Sequence, residues 1–197
     1  MTTDKKLHIG LFFGSFNPVH IGHLALANYM QAFTDMDQVW LVLSPHNPLK
    51  KKSGLLDQHD RLHLINLALD FHQNIKVSNI EFGLPQPSYT VNTLAHLKEK
   101  FPKHTFSLIM GQDNLVTFDK WKNYEEILKN HRIYVYPRKN AGPSPFDDHK
   151  QIRITEAPLM EISSTFIRKA FKEKKNVQFF LHPKVWEYID NMNLYRK

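Results

Sequence analysis

Phe12-Phe13-Gly14-Ser15-Phe16-Asn17-Pro18-Val19-His20-Ile21-Gly22-His23 is the stretch from which this chain is read. It follows residues 7–13, an apolar run of strand length, and leads into Ile21–Phe33, a segment of helical length and period. In an open parallel sheet, the turn after the first strand lies at the carboxyl end of that strand, where such sheets bind ligands near their switch point. Gly14 permits close backbone approach, Ser15 and Asn17 add polar groups, and Pro18 stiffens the exit from the turn. His20 and His23, three residues apart at a helix start, share one face beside the positive end of the helix dipole. That arrangement suits a polyphosphate. Taken alone, the histidine pair also reads as ordinary surface or capping residues, or as part of a zinc site, for which no further ligands of obvious spacing follow.

Around this turn, apolar runs of strand length alternate with helical patterns, which predicts an α/β protein: a Rossmann-like, doubly wound, mostly parallel sheet with helices on both faces and a helical C-terminus. Strands are expected at 7–13, 39–43, 75–80, 105–110 and Ile133–Tyr136, with a weaker one at Ile152–Ile154. The helix Ile21–Phe33 is expected to bury Leu24, Ala25 and Tyr29, the helix 57–69 Leu62, Ile65 and Leu69, and the helix 90–101 Leu94 and Leu97. Ser163 and Ser164 offer N-cap hydroxyls ahead of one late helix, and Pro183 opens the last. Residues 44–54 and 137–149 read as loops, and residues 1–197 as a single domain.

With 42% hydrophobic and 23% charged residues in 197, the composition is that of an ordinary globular chain. The absence of cysteine excludes disulfides, thiolate metal sites and cysteine nucleophiles. Lysine and arginine number 26 against 19 acidic residues, and the resulting net charge of +7 points to anionic partners. No apolar run reaches the ~20 residues needed to span a bilayer, and residues 5–13 lack the cleavage site of a signal peptide. A cytoplasmic protein without membrane partners is expected.

In the C-terminal half, Ile162-Ser163-Ser164-Thr165-Phe166-Ile167-Arg168 joins hydroxyls and free N–H groups at a helix start to an arginine one turn later. Those groups suit phosphate oxygens, and equally an ordinary N-capped helix with a surface arginine. Gly-Ser-Phe-Asn-Pro-x-His-x-Gly-His together with Ile-Ser-Ser-Thr-x-x-Arg resembles the two signatures of the nucleotidylyltransferase superfamily. The resemblance implies that Gly14, Ser15, Phe16, His20, His23, Ser163, Ser164, Thr165 and Arg168 bind ATP, with His20 and His23 at the α-phosphate and Arg168 at the β- and γ-phosphates.

The intervening residues resemble those of bacterial nicotinate-mononucleotide adenylyltransferases. Pro45-His46-Asn47-Pro48-Leu49-Lys50 is similar to that family's proline-rich, lysine-ended loop, and Arg61 stands in the following helix as it does there. Pro87-Ser88-Tyr89-Thr90 matches its Ser-Tyr-Thr stretch, Gly111-Gln112-Asp113 its Gly-x-Asp element, and Trp121 its stacking tryptophan. The resemblance implies an acceptor half-site of Asn17, Lys50, Ser88, Tyr89, Thr90, Gly111, Asp113 and Trp121, the last of which reads by itself as core filling. Where the family usually has an acidic residue before Thr93-Leu94, this chain has Asn92.

The implied reaction transfers the adenylyl group of ATP to nicotinate mononucleotide, giving nicotinate adenine dinucleotide and pyrophosphate in NAD biosynthesis. The attacking phosphate oxygen is already largely ionised at neutral pH, so positioning and charge stabilisation are needed rather than a strong base. Mg²⁺ is expected to be held mainly by ATP phosphates, with no protein metal site. Competing readings are a small nucleotidylyltransferase acting on nicotinamide mononucleotide or pantetheine phosphate, and a nucleic-acid-binding module. The chain is short for a class I aminoacyl-tRNA synthetase, whose His-x-Gly-His it shares. Nucleic acid is not expected as a partner, and a homo-oligomer is left open.

Overall fold

The computed structural model describes residues 5–45 and 54–196. Six strands form one sheet: β1 His8–Gly14, β2 Gln38–Leu43, β3 Ile75–Ser78, β4 Thr105–Gly111, β5 Ile133–Tyr136 and β6 Ile152–Ile154. Their order is β3-β2-β1-β4-β5-β6, and every neighbouring pair is parallel. The chain winds outward from β1 to β3, returns to the other side of β1 for β4, and winds outward again. The expected doubly wound topology is therefore observed, with its switch point between β1 and β4.

The helices of the described residues are α1 Ile21–Phe33, α2 Gln58–Leu69, α3 Thr90–Lys100, α4 Gln112–Leu115, α5 Tyr124–Asn130, α6 Ser164–Lys172 and α7 Pro183–Asn191. They cover both faces of the sheet. One core joins Phe12 to Leu26, Met30, Leu64, Ile65, Ile167, Phe171, Val185 and Ile189, from α1, α2, α6 and α7. The other joins Ile9 and Leu11 to Leu94, Leu97, Phe118 and Ile127 on the side of α3 and α5. Neighbouring side chains of β1 thus enter opposite cores, as the pleat requires. Burial on both faces is also why the strands read as continuous apolar runs.

Three local expectations are corrected. Helix α1 buries Leu26, Ala27 and Met30 most deeply, whereas Leu24, Ala25 and Tyr29 are only half-buried. The helix is apolar around most of its circumference, so periodicity does not select the core face. Helix α2 buries Ile65 as expected, but its other fully covered residues are Arg61, Leu64 and Ala68, while Leu62 and Leu69 are partly covered. The third strand stops at Ser78 rather than Ile80, because Ile80–Gly83 turns as a 3-10 helix.

Candidate active site

The carboxyl ends of β1, β4 and β5 open into a cavity of about 430 Å³. Gly14, Ser15, Phe16, Asn17, His20 and His23 line it from the front turn, and Ser163, Ser164, Thr165 and Arg168 from the start of α6. The two segments, nearly 150 residues apart, are bonded directly. The Ser164 hydroxyl donates to the Pro18 carbonyl at 2.9 Å. The Arg168 guanidinium donates to the Asn17 carbonyl at 2.7 Å and to Thr165 Oγ1 at 3.4 Å. Ser163 caps α6 by accepting from the Phe166 N–H at 3.2 Å.

His20 is the N-cap residue of α1, and His23 lies three positions on. Their rings stack with centroids 3.7 Å apart. His23 Nδ1 accepts the His20 backbone N–H at 3.3 Å, which leaves Nε2 as the donor of that ring. Burial, reinforced by the positive charge of Arg138, pushes the His20 imidazole from its ordinary 6.5 down to about 4. His20 is therefore neutral at physiological pH. Its buried Nδ1 has no hydrogen-bond partner among the described residues.

Gly22 makes the histidine stack sterically possible. A Cβ there would stand 3.1 Å from His20 Nδ1 and 3.2 Å from its Cε1. Gly14 is required for a similar reason: a Cβ would lie 2.8 Å from the ring of Phe16, which folds back over it with φ near 42°. The close approach at Gly14 is thus made by the Phe16 ring. That ring is 2% exposed and packs edge-on against Phe12 and His23, so Phe16 shapes the cavity from behind.

Arg138, just past β5, lines the same cavity and has no counterpart among the residues singled out from sequence. It donates to the Met160 carbonyl at 3.1 Å and to the Tyr136 hydroxyl at 3.2 Å, and lies over the Tyr136 ring. Its Nε stands 3.8 Å from Asp113 and has no hydrogen-bond partner among the described residues. Gly111 permits this meeting, since a Cβ there would be 2.3 Å from Asp113 Oδ1 and 3.1 Å from Arg138 Nε. Gly111 acts by leaving room, while Asp113 faces the cavity itself.

A second cavity, of about 250 Å³, adjoins the first and shares Phe12, Phe13, Gly14, Ser15, Asn114 and Tyr136 with it. Tyr89, Thr90 and Trp121 line it, as do Ser88, Glu81, Lys120 and Lys122. The Lys122 ammonium lies 4.5 Å from the centre of the Tyr89 ring. Tyr89 caps α3 without a side-chain hydrogen bond, so the first-turn N–H groups of that helix are not capped by it.

Two residues expected at the acceptor line the cavities and also bond within the protein. The Asn17 carboxamide donates to the Gly54 carbonyl and accepts from the Leu56 N–H and the Tyr195 hydroxyl, so it ties the front turn to the chain's C-terminal end. The Ser88 hydroxyl donates to Glu81. Asn17 thus holds backbone in place, and Ser88 holds the Glu81 carboxylate. Lys50 lies outside the described residues.

Arg61, 1% exposed, is a further support. Its guanidinium donates to the carbonyls of Leu56, Ser15, Ser44 and Pro45 at 2.7–3.0 Å. No carboxylate among the described residues forms an ion pair with it at salt-bridge distance. For Arg138, reading every strand end as a ligand position would have supplied the signal, because it stands two residues beyond Tyr136. Glu81 and the partners of Arg61 carry no local signal at all.

A family model described as cytidylyltransferase-like matches residues 11–170. A curated Flavobacterium psychrophilum protein named "Probable nicotinate-nucleotide adenylyltransferase" is 61% identical over 193 residues, which is 97% of this chain and 100% of the relative. A Bacteroides thetaiotaomicron protein of the same name is 49% identical over 189 residues, covering 96% of this chain and 94% of its own. Among solved structures, Plasmodium falciparum nicotinic acid mononucleotide adenylyltransferase complexed with NaAD has a TM-score of 0.77 at 19% identity, covering 97% of this chain and 98% of that one, a likeness of fold. A turn and a helix start meeting at the switch point of a parallel sheet, in a chain aligned with these relatives over nearly its whole length, place this protein in the nicotinate-nucleotide adenylyltransferase family of cytidylyltransferase-like proteins.

Proposed function

We propose that this enzyme transfers the adenylyl group of ATP to nicotinate mononucleotide, releasing pyrophosphate and forming nicotinate adenine dinucleotide in NAD biosynthesis, in the cytoplasm and with one catalytic domain. The observation that carries the reading is the adjoining pair of cavities at the β1/β4 switch point. The larger is walled by imidazoles, hydroxyls and two arginines, and the smaller by flat aromatic and small polar side chains.

ATP occupies the larger cavity. His23 donates from Nε2 to the α-phosphate and the neutral His20 imidazole stands beside it, while the start of α6 and Arg168 hold the β- and γ-phosphates. Arg138 supplies another cation to the same cavity. The acceptor lies in the smaller cavity, its pyridine ring against Trp121 and its carboxylate toward Tyr89, Thr90 and the first turn of α3. Its phosphate then reaches the shared wall near Ser15 and attacks the α-phosphorus in line, displacing pyrophosphate with no covalent enzyme intermediate. Fixed imidazole donors suit this role, because charge develops in the transition state and donors already in place stabilise it without reorganising.

Among the described residues no three His, Asp or Glu side chains converge to hold a metal ion. Mg²⁺ would enter as part of the MgATP substrate and would there supply charge neutralisation on phosphate oxygens.

The test is pyrophosphate release with MgATP on nicotinate mononucleotide, nicotinamide mononucleotide and phosphopantetheine in parallel. The acid mononucleotide is expected to give the highest kcat/KM. Preference for phosphopantetheine, or no release with any of the three, would refute the assignment.

A further inference from the structure

Glu81 is 2% exposed, lines the smaller cavity, and forms no ion pair with a Lys, Arg or His among the described residues. An unpaired carboxylate in such a place costs several kcal/mol unless its oxygens are hydrogen-bonded. Here both are used. Oε2 accepts from the Ser88 hydroxyl at 3.0 Å and Oε1 from the Thr93 hydroxyl at 2.8 Å. The Glu81 carbonyl also accepts the Leu84 N–H at 3.2 Å and the Gln86 side-chain amide at 3.1 Å. One residue therefore gathers the 3-10 turn Ile80–Gly83, the following loop and the first turn of α3.

We infer that Glu81 is the positioning residue of the acceptor half-site: it fixes the backbone from Ser88 to Thr93 so that Tyr89, Thr90 and the open first turn of α3 face the bound pyridine nucleotide. The inference rests on the functional reading above. A negative charge here repels an anionic acceptor, so charge attraction does not account for the residue. Its value is the pair of charge-assisted hydrogen bonds, which anchor a segment whose helix start has no side-chain cap of its own. Thr93 is fully buried and Ser88 8% exposed, so neither hydroxyl has water as a ready substitute. Glu81 does not line the larger cavity, and its loss is therefore expected to act on one substrate.

The experiment measures pyrophosphate release with each substrate varied in turn, for the wild type, Glu81→Ala, Glu81→Gln, Thr93→Val and Thr93→Ser. Glu81→Ala is expected to raise the KM for nicotinate mononucleotide roughly tenfold to a hundredfold, the loss expected for hydrogen bonds to a charged group. The KM for ATP should stay within about twofold. Glu81→Gln, which keeps one acceptor oxygen, should fall between it and the wild type. Thr93→Val should raise the same KM and Thr93→Ser, which keeps the hydroxyl, should restore it; this pair gives the readout if Glu81→Ala does not fold. An unchanged acceptor KM overturns the inference, as does an equal rise in both KM values or a lower acceptor KM in Glu81→Gln. Failure of the functional reading is separate: it appears as a wild type that does not use nicotinate mononucleotide.

Discussion

Replacing Gly22 with alanine tests whether the stacked histidines are a catalytic device, because the substitution moves a ring without removing one. The new Cβ would stand 3.1 Å from His20 Nδ1, 3.2 Å from Cε1 and 3.5 Å from the Cβ of Ile162. Ordinary carbon contacts lie near 3.5–4.0 Å, so the ring must yield by about half an ångström. It has little room to do so, being 4% exposed and stacked 3.7 Å from His23. A misplacement of ~1 Å costs on the order of 10² in rate, and half of that displacement costs about tenfold. Helix propensity works the other way. Alanine is favoured over glycine by up to ~1 kcal/mol in a helix, which offsets the crowding and leaves the melting temperature close to that of the wild type. The assay is pyrophosphate release at saturating MgATP and nicotinate mononucleotide, alongside a thermal melt followed by circular dichroism. A roughly tenfold lower kcat with an unchanged melt is expected. A kcat within twofold of the wild type would refute the argument, and so would a loss that merely tracks the unfolded fraction.

Three further outcomes follow from the same structure. His20 has its imidazole lowered to about 4 in the folded protein against 6.5 when unfolded, so its contribution to stability is complete above pH 6.5 and is lost as pH falls toward 4. The loss is on the order of 3 kcal/mol, and urea unfolding across that range should show a shallower pH dependence in His20→Gln than in the wild type. Arg61→Leu strips partners from four carbonyls around the front turn and should cost at least ~3 kcal/mol in urea unfolding, with a change below 1 kcal/mol contradicting the bonding described. Chelating Mg²⁺ should abolish turnover, whereas Mg²⁺ alone should leave the melting temperature unchanged and MgATP should raise it; a shift with Mg²⁺ alone would reveal a protein-borne metal site.

The two segments that meet at the larger cavity were legible because each is local. A turn after a strand and a hydroxyl-rich helix start keep their meaning wherever the rest of the chain goes, and both were found where their motifs placed them. Trp121, Tyr89 and Thr90 were likewise legible as one group, and they line one cavity. The internal bonds of Asn17 and Ser88 were not, because a polar side chain near a site reads the same whether or not it also holds a neighbouring loop. Asn17 is bonded to Tyr195, 178 positions away. Helix α1 posed the same problem in apolar form, its core face being chosen by the strands β1, β2 and β3 against which it packs rather than by its own period.

The amino-acid order by itself determined the six strands, five of the seven described helices, the α/β class, the position of the front turn and the family signatures, since these depend on propensity, spacing and chemistry within about a dozen residues; the short α4 and α5 carried no such signal. Tertiary structure decided which groups meet. It buried His20 beside Arg138 and so kept that imidazole neutral, enclosed Arg61 among four carbonyls, and gave Glu81 its two hydroxyls. Each of these depends on burial and on contacts between segments far apart in the chain, and desolvation has no value until the fold has closed around the group.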